Sequence, residues 1–164
     1  MANNEHIRQW SALYKKPVYI PDEGRNAGLI EDFYFQPDSS AVYALRITTR
    51  VEGEFAVPVT GITEVTANNV SLINGQMMTK SLYHLPQGSE LLGKTVVGEN
   101  GHEIGTIGEV YLNVARPTAM HIEAFELASS NGHQAGHGRT FSADDVVHYD
   151  EDQIVLYDRV ARRL

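Results

Sequence analysis

The chain contains no cysteine, a single tryptophan and no long apolar run. Without cysteine there is no disulfide framework, no thiol nucleophile and no cysteine-ligated metal, and the composition suits a reducing compartment. No stretch approaches the ~20 apolar residues of a membrane-spanning helix, and the first residues lack the basic region and apolar core of a signal peptide. The sequence therefore predicts a cytoplasmic protein that does not insert into a membrane.

Basic residues are also scarce, since 13 lysines and arginines stand against 21 acidic residues and give a formal net charge of −8. A surface of that sign repels phosphate backbones and anionic lipid headgroups, so we do not expect nucleic acid as a partner. One small basic cluster, Arg159, Arg162 and Arg163, ends the sequence.

An internal repeat organises the sequence. Gly24 and Gly28 recur as Gly101 and Gly105, each 77 positions later. Further pairs at this spacing are Ile30 with Ile107 and Tyr34 with Tyr111. The ends of the two copies match at a spacing of 84, as in Val70 with Ile154 and Leu72 with Leu156. One duplicated unit, with a longer glycine- and histidine-rich loop in the second copy, explains both spacings.

Both copies are typical of short strands separated by turns. We expect strands at residues 30–35, 42–51, 54–60 and 69–73, and again at 109–113, 120–127, 139–142 and 153–157. The apolar alternation changes phase within 120–127, which predicts a β-bulge. Gly24 and Gly101 are expected in tight turns that need positive φ. Gly28 and Gly105 are expected where a curled sheet bends or another backbone comes close. Short helical pieces are expected at 4–13 and 159–164.

These patterns predict an all-β fold of two small β-barrels related by internal duplication. The first unit spans residues 10–75, a linker follows at 76–90, the second unit spans 91–158, and a basic tail occupies 159–164. The linker is too apolar for a solvated tether, so we expect it to lie along the barrels or to form a short helical turn.

The second copy resembles the PRC-barrel family in three places. These are the opening Leu92-Gly93-Lys94, the glycine turn Asn100-Gly101 ahead of Gly105, and the late step Asp144-Asp145-Val146. The first copy is similar but less complete, with Lys15-Lys16-Pro17 at its opening. The resemblance implies tandem barrels that act through protein contacts rather than chemistry. The family includes the cytoplasmic domain of the photosynthetic reaction centre H subunit and the C-terminal domain of a ribosome maturation factor.

Histidines are the first candidates for chemistry. His133 and His137 share the glycine-rich loop, and His121 or His148 could join them around zinc or nickel. Such a site needs three or four converging ligands. A four-residue spacing aligns two ligands only on a helix, which the neighbouring glycines oppose. We therefore expect a solvated loop there, with no metal and no cofactor.

Other patterns point away from catalysis. The glycines between residues 98 and 108 are followed by a predicted strand rather than by the helix of a phosphate-binding loop. The acidic residues between 144 and 152 lack the central glycine of a calcium loop and are expected in solvated turns. No serine lies in a nucleophile-elbow context. The sequence thus predicts that the chain is not an enzyme.

Two functions remain in view. The first is a non-enzymatic protein-binding or scaffold module, whose partner is an unidentified protein or a second copy of the chain in a homodimer. The second is a ligand- or metal-sensing module that uses the His133/His137 loop or the groove between the barrels. The aromatic candidates for core or interface are Tyr34, Phe35, Tyr111 and Tyr157, and we expect about half of them in the core.

Overall fold

Short apolar runs separated by glycine, proline and asparagine make the chain a succession of strands. A computed structural model describes residues 5–80, 84–129 and 139–164. The described part has two four-residue helices, α1 (Trp10–Leu13) and α2 (Asp158–Ala161). Its strands are β1 (Ile7–Gln9), β2 (Pro17–Ile20), β3 (Arg25–Gln36), β4 (Ala41–Thr48), β5 (Glu54–Pro58), β6 (Ile62–Val65), β7 (Val70–Leu72), β8 (Thr95–Gly98), β9 (Glu103–Asn113), β10 (His121–Leu127), β11 (Thr140–Ser142), β12 (Val146–Tyr149) and β13 (Gln153–Leu156). The predicted all-β class is confirmed.

The strands form two sets with the same order. In the first half (β2 to β7) the order is β6-β7-β2-β3-β4-β5, and in the second half (β8 to β13) it is β12-β13-β8-β9-β10-β11. The opening strand of each half pairs in parallel with the closing strand, β2 with β7 and β8 with β13. The other pairs of described strands are antiparallel. Each half is therefore a curled sheet with one topology.

The two halves meet where β4 and β10 begin. The Val42 N–H donates to the Met120 carbonyl at 2.9 Å, and the Ile122 N–H donates to the Ser40 carbonyl at 2.8 Å. Buried apolar side chains from both halves form one continuous cluster. The halves therefore stabilise each other by shared apolar burial, because a small unit buries only a limited share of its surface on its own.

The bulge predicted within residues 120–127 is confirmed, because the β9–β10 register shifts between Ile122 and Ala124. The strand predicted at 42–51 ends earlier, at Thr48. Thr49 starts a turn there: its N–H donates to the Gly53 carbonyl at 2.8 Å, and Gly53 has φ of 83°. β5 ends at Pro58, which has no N–H for a ladder bond.

Among the strands that were not predicted from the sequence are β1, β6 and β12. β1 occupies part of the stretch expected to be helical at 4–13, and only Trp10–Leu13 is helical there. β1 is extended because it pairs with β9, and local periodicity carries no information about so distant a partner. β6 and β12 each follow directly on a short 3-10 turn, at Val59–Gly61 and Ala143–Asp145.

The linker packs against the sheet, as its apolar composition predicted. It begins in the 3-10 turn Gly75–Met77 and ends in the 3-10 turn Gly88–Glu90. A Cβ atom at Gly88 would lie 2.0 Å from a ring carbon of Phe33, so only glycine lets the second turn approach β3 so closely.

Candidate interaction surfaces

Each half of the sheet is extended by a short segment that precedes the other half. β1 pairs with β9, which places Gln9 opposite Tyr111. The end of the linker pairs with β3, which places Gln87 opposite Tyr34. The two contacts are reciprocal, because the glutamines are 78 positions apart and the tyrosines 77.

A serine follows each of these segments and binds a carboxylate of the opposite half. Ser11 donates its N–H and its hydroxyl to Glu109, at 3.2 and 2.5 Å. Ser89 donates its N–H to Asp32 at 2.9 Å and its hydroxyl to the second oxygen of the same carboxylate. The same two-point contact therefore fastens both segments.

Asp32 is the more deeply buried of the two carboxylates, with 1% of its surface exposed. It also accepts the Phe33 N–H at 2.9 Å, and a guanidinium nitrogen of Arg46 lies 3.8 Å away. Arg46 in turn donates to the Gln87 side chain at 2.9 Å and forms an ion pair with Glu54. The buried charge is thus both hydrogen-bonded and paired, as burial of a carboxylate requires.

The outer face of β3, β4 and β5 is covered by the linker. Thr79 and Ala56 exchange two backbone hydrogen bonds, of 2.7 and 3.0 Å. Leu85 packs on Tyr34, Ala44 and Ala56, which have 1%, 0% and 0% of their surfaces exposed. This burial raises the pKa of the Tyr34 hydroxyl. Tyr34 is therefore a core residue, although its strand position points outward from the barrel.

The equivalent face of the second half carries two carboxylates directly opposite each other. Glu109 faces Glu126 across the β9–β10 ladder, just as Asp32 faces Arg46 across β3–β4. The Tyr111 hydroxyl donates to Glu126 at 2.8 Å, and burial raises the pKa of this tyrosine. We define the acidic face as the outward side chains Glu109, Tyr111, Ala124, Glu126 and Thr140.

Neither glutamate of the acidic face has a basic partner within the described ranges. The ion pairs formed by described residues include no contact to Glu109 or Glu126. Glu126 keeps 8% of its surface exposed, while Glu109 and Tyr111 are half-buried. The acidic face therefore holds two carboxylates, one buried and one half-buried, that have no cationic partner among the described residues.

A second outward surface is apolar. On β2, Tyr19 lies opposite Ser71 of β7, and Pro17 lies opposite Leu29 of β3. Tyr19, Leu29 and Ile73, the residue that follows β7, expose 36%, 41% and 49% of their surfaces. We define these four apolar residues, Pro17, Tyr19, Leu29 and Ile73, as the apolar patch. The corresponding positions of the second half hold Thr95, Val97, Thr106 and Tyr157, so the patch belongs to the first half alone.

A groove runs between the two halves. One cavity in it, of about 510 Å³, is lined on one side by Phe35 and on the other by Lys94 and Tyr149. Lys94 donates to the Asp150 carbonyl at 2.9 Å, and the Tyr149 hydroxyl lies 3.1 Å from the Ser40 hydroxyl. Burial raises the pKa of Tyr149. A ligand in this groove stays a prediction.

The histidines are not brought together into a ligand set. His133 and His137 lie outside the described residues. His121 has its Nε2 atom 3.6 Å from a Glu123 oxygen, and His148 has its Nε2 atom 3.2 Å from Asp150. Across residues 5–80, 84–129 and 139–164, no group of three or more histidines and acids could hold a metal ion.

The four matched glycines differ in what they do. Gly24 and Gly101 have φ of 61° and 86°, which allows the turns that precede β3 and β9. A Cβ at Gly28 would lie 2.6 Å from the Thr48 carbonyl oxygen, so the backbones of β3 and β4 approach closely there. At Gly105 the nearest atom would be 3.6 Å away, in a side chain, so this position has room for a Cβ.

The remaining candidates lie in turns or at the surface. Asp145 accepts the Ser142 N–H at 3.2 Å in the turn before β12, and the Asp150 N–H donates to the Gln153 carbonyl at 2.8 Å in the next turn. Tyr157 is 40% exposed, and the Arg159 guanidinium lies 5.0 Å from its ring centre.

The fold and the match to a family agree on the first half. Residues 5–85 match the family model of the PRC-barrel domain. This stretch is a PRC-barrel domain. It includes β1 to β7 and most of the linker, so the segment that covers β3, β4 and β5 is largely within the PRC-barrel domain. A search among curated proteins gave no match. Within the described ranges, no helix has the length and apolar character needed to cross a membrane.

Sequence reasoning missed the serine–carboxylate contacts and the acidic face. One signal was present: Gln9, Ser11 and Leu13 recur as Gln87, Ser89 and Leu91, all 78 positions later. Taken together with the spacing of 77, it would have indicated an equivalent segment before each half of the sheet. The charge difference between Arg46 and Glu126 could be found only by aligning β4 with β10 at a different spacing, which the bulges obscure.

Proposed function

We propose that the chain is a non-enzymatic protein-binding module built of two PRC-barrel units, at residues 10–75 and 91–158, joined by the linker at 76–90 and followed by a basic tail at 159–164. A cytoplasmic location stays a prediction. The partner is a protein that recognises the first unit through its apolar patch.

Three observations support a second unit in residues 91–158. Its strands have the same order and the same parallel pair as the PRC-barrel domain. The segment before it carries Ser89, which binds Asp32 of the first half just as Ser11 binds Glu109 of the second. Gly93 has φ of 83° and matches Lys15, a non-glycine residue with φ of 68°. An unusual backbone conformation repeated at matched positions supports duplication, since a non-glycine residue seldom adopts it.

The observation that carries the binding function is the apolar patch. Single exposed apolar residues are normal on protein surfaces, but a group of them on β2, on β3 and just after β7 is typical of a contact site. Tyrosine is enriched at interfaces because its ring contributes large contact area at small entropic cost. The second unit has the less apolar residues Thr95 and Thr106 in place of Pro17 and Leu29, which argues that the barrel itself does not require the patch.

Affinity capture of the tagged chain from its native lysate, read by mass spectrometry, tests this function. We expect a reproducible partner that the double variant Tyr19→Ser/Leu29→Ser loses. The matched control is Tyr43→Ser, which removes a tyrosine that is 49% exposed on β4. Sedimentation velocity of the purified chain shows whether that partner is a second copy. Equal recovery with both variants, or capture of nothing beyond the chain together with a monomer in sedimentation velocity, would contradict the proposal.

A further inference from the structure

We propose that the acidic face binds an extended, arginine-bearing segment of a partner protein, laid along β11 as the linker is laid along β5. This inference concerns a different surface from the apolar patch and does not depend on it. It rests on a comparison of two equivalent faces within one chain, one covered and one open.

The first step concerns charge. Like charges directly opposite each other in an antiparallel ladder destabilise the sheet, and opposite charges stabilise it. In the first half Arg46 satisfies this rule, because it faces Asp32 and also pairs with Glu54. In the second half Glu126 faces Glu109, and no described residue supplies the cation. A guanidinium from outside would restore the pairing that the first half makes internally.

The second step concerns backbone hydrogen bonds. Ala56 of β5 uses its outward N–H and carbonyl to bind Thr79 of the linker. Thr140 of β11 has the same register, since it lies opposite Glu126 as Ala56 lies opposite Arg46. Across the described ranges no backbone group bonds this edge at Thr140. An open edge of this kind accepts an added strand from another protein.

The third step concerns cover. On the first half the linker buries Tyr34 and Ala44 to 1% and 0% exposure. The equivalent residues Tyr111 and Ala124 are only half-buried, and Thr140 is exposed. The open face therefore has apolar and aromatic surface to bury, in addition to unpaired charge.

The chemistry of the face favours a guanidinium over a metal ion. Two carboxylates and one phenol hydroxyl are too few for a metal, in keeping with the absence of a ligand cluster among the described residues. A planar guanidinium can donate several hydrogen bonds at once, so it can bridge two carboxylates on neighbouring strands. The net charge of −8 also speeds the approach of a basic segment.

A hexapeptide library displayed on phage and selected against the immobilised full chain tests the proposal. We expect the selected peptides to be enriched in arginine and to bind Glu126→Arg at least about tenfold more weakly, because that variant supplies the missing cation itself. Glu64→Arg on β6 is the matched control, since it changes the net charge equally at an exposed position and should bind as the wild type does. If Glu126→Arg does not fold, Glu126→Gln replaces it, with a weaker but still clear loss of affinity.

Backbone amide spectra of the labelled full chain with the best peptide then locate the contact. We expect the largest shifts at β11 and at Tyr111. Selection of peptides without basic residues, unchanged affinity for Glu126→Arg, no selected binder at all, or shifts centred on the apolar patch would each overturn the inference. Loss of partner capture by the Tyr19→Ser/Leu29→Ser variant bears on the proposed function alone, so the two failures are distinguishable.

Discussion

Replacing Asp32 by alanine removes a buried carboxylate that organises the junction between β3 and the end of the linker. The Ser89 N–H, the Ser89 hydroxyl and the Phe33 N–H all lose their acceptor, and Arg46 loses one of its two acidic neighbours. A buried donor left without a partner costs about 1–3 kcal/mol, although Ser89 can turn partly to water. We therefore expect Asp32→Ala to lower the free energy of unfolding by about 3 kcal/mol.

The matched variant is Glu109→Ala, which removes the same two-point contact at the other junction. Glu109 is half-buried and has no arginine neighbour among the described residues, so water can replace it. Its removal also relieves the repulsion with Glu126 across the ladder, so the expected loss is at most about 1 kcal/mol. Urea unfolding followed by the fluorescence of Trp10, the single tryptophan, measures both losses. Equal losses, or a larger one for Glu109→Ala, would refute the argument that burial sets the strength of the contact.

Two further predictions concern close packing and pH. Gly28→Ala should lower the free energy of unfolding by about 1–3 kcal/mol, because its Cβ would clash with the Thr48 carbonyl. Gly105→Ala, the control, should change it by less than about 0.5 kcal/mol. Equal melting temperatures of the two variants in a thermal scan would contradict this. Burial raises the pKa of Tyr149, so the folded chain keeps this proton above pH ~10 where the unfolded chain loses it, and stability should fall as the pH rises beyond that value. Tyr149→Phe should flatten that decline between pH 9 and 11 (about the range of the phenol pKa), and an unchanged slope would show that another group causes it.

Local pattern predicted the strands that carry their own signal. Apolar and polar residues alternate at the start of β10, and the break in that alternation correctly indicated the bulge after Ile122. The turn glycines could be predicted equally well, because the positive φ of Gly24 and Gly101 depends on only a few adjacent residues. The all-β class follows from such local signals alone.

Contacts between distant segments could not be predicted from local sequence patterns. β1 was expected to be helical, and it is a strand only because β9 is there to pair with it. Gly28 and Gly105 look equivalent in the sequence, yet only the first has a backbone pressed against it. The acidic face arises from the register of β9 and β10, which places Glu109 opposite Glu126. That register depends on β-bulges, whose positions the apolar periodicity of the sequence does not give.

Because β1 pairs with the distant strand β9, it must wait for its partner while the chain is being synthesised. Gln9 and Tyr111 are 102 positions apart, so at about 5–20 residues per second β1 leaves the ribosome about 5–20 s before β9. During that interval the nascent chain displays an unpaired strand, which is a template for wrong pairing with other chains. Long-range pairing of this kind also slows folding after release. β1, the first strand made, therefore stays without its partner until β9 appears, and chaperones or a low local concentration would protect the newborn chain during that interval.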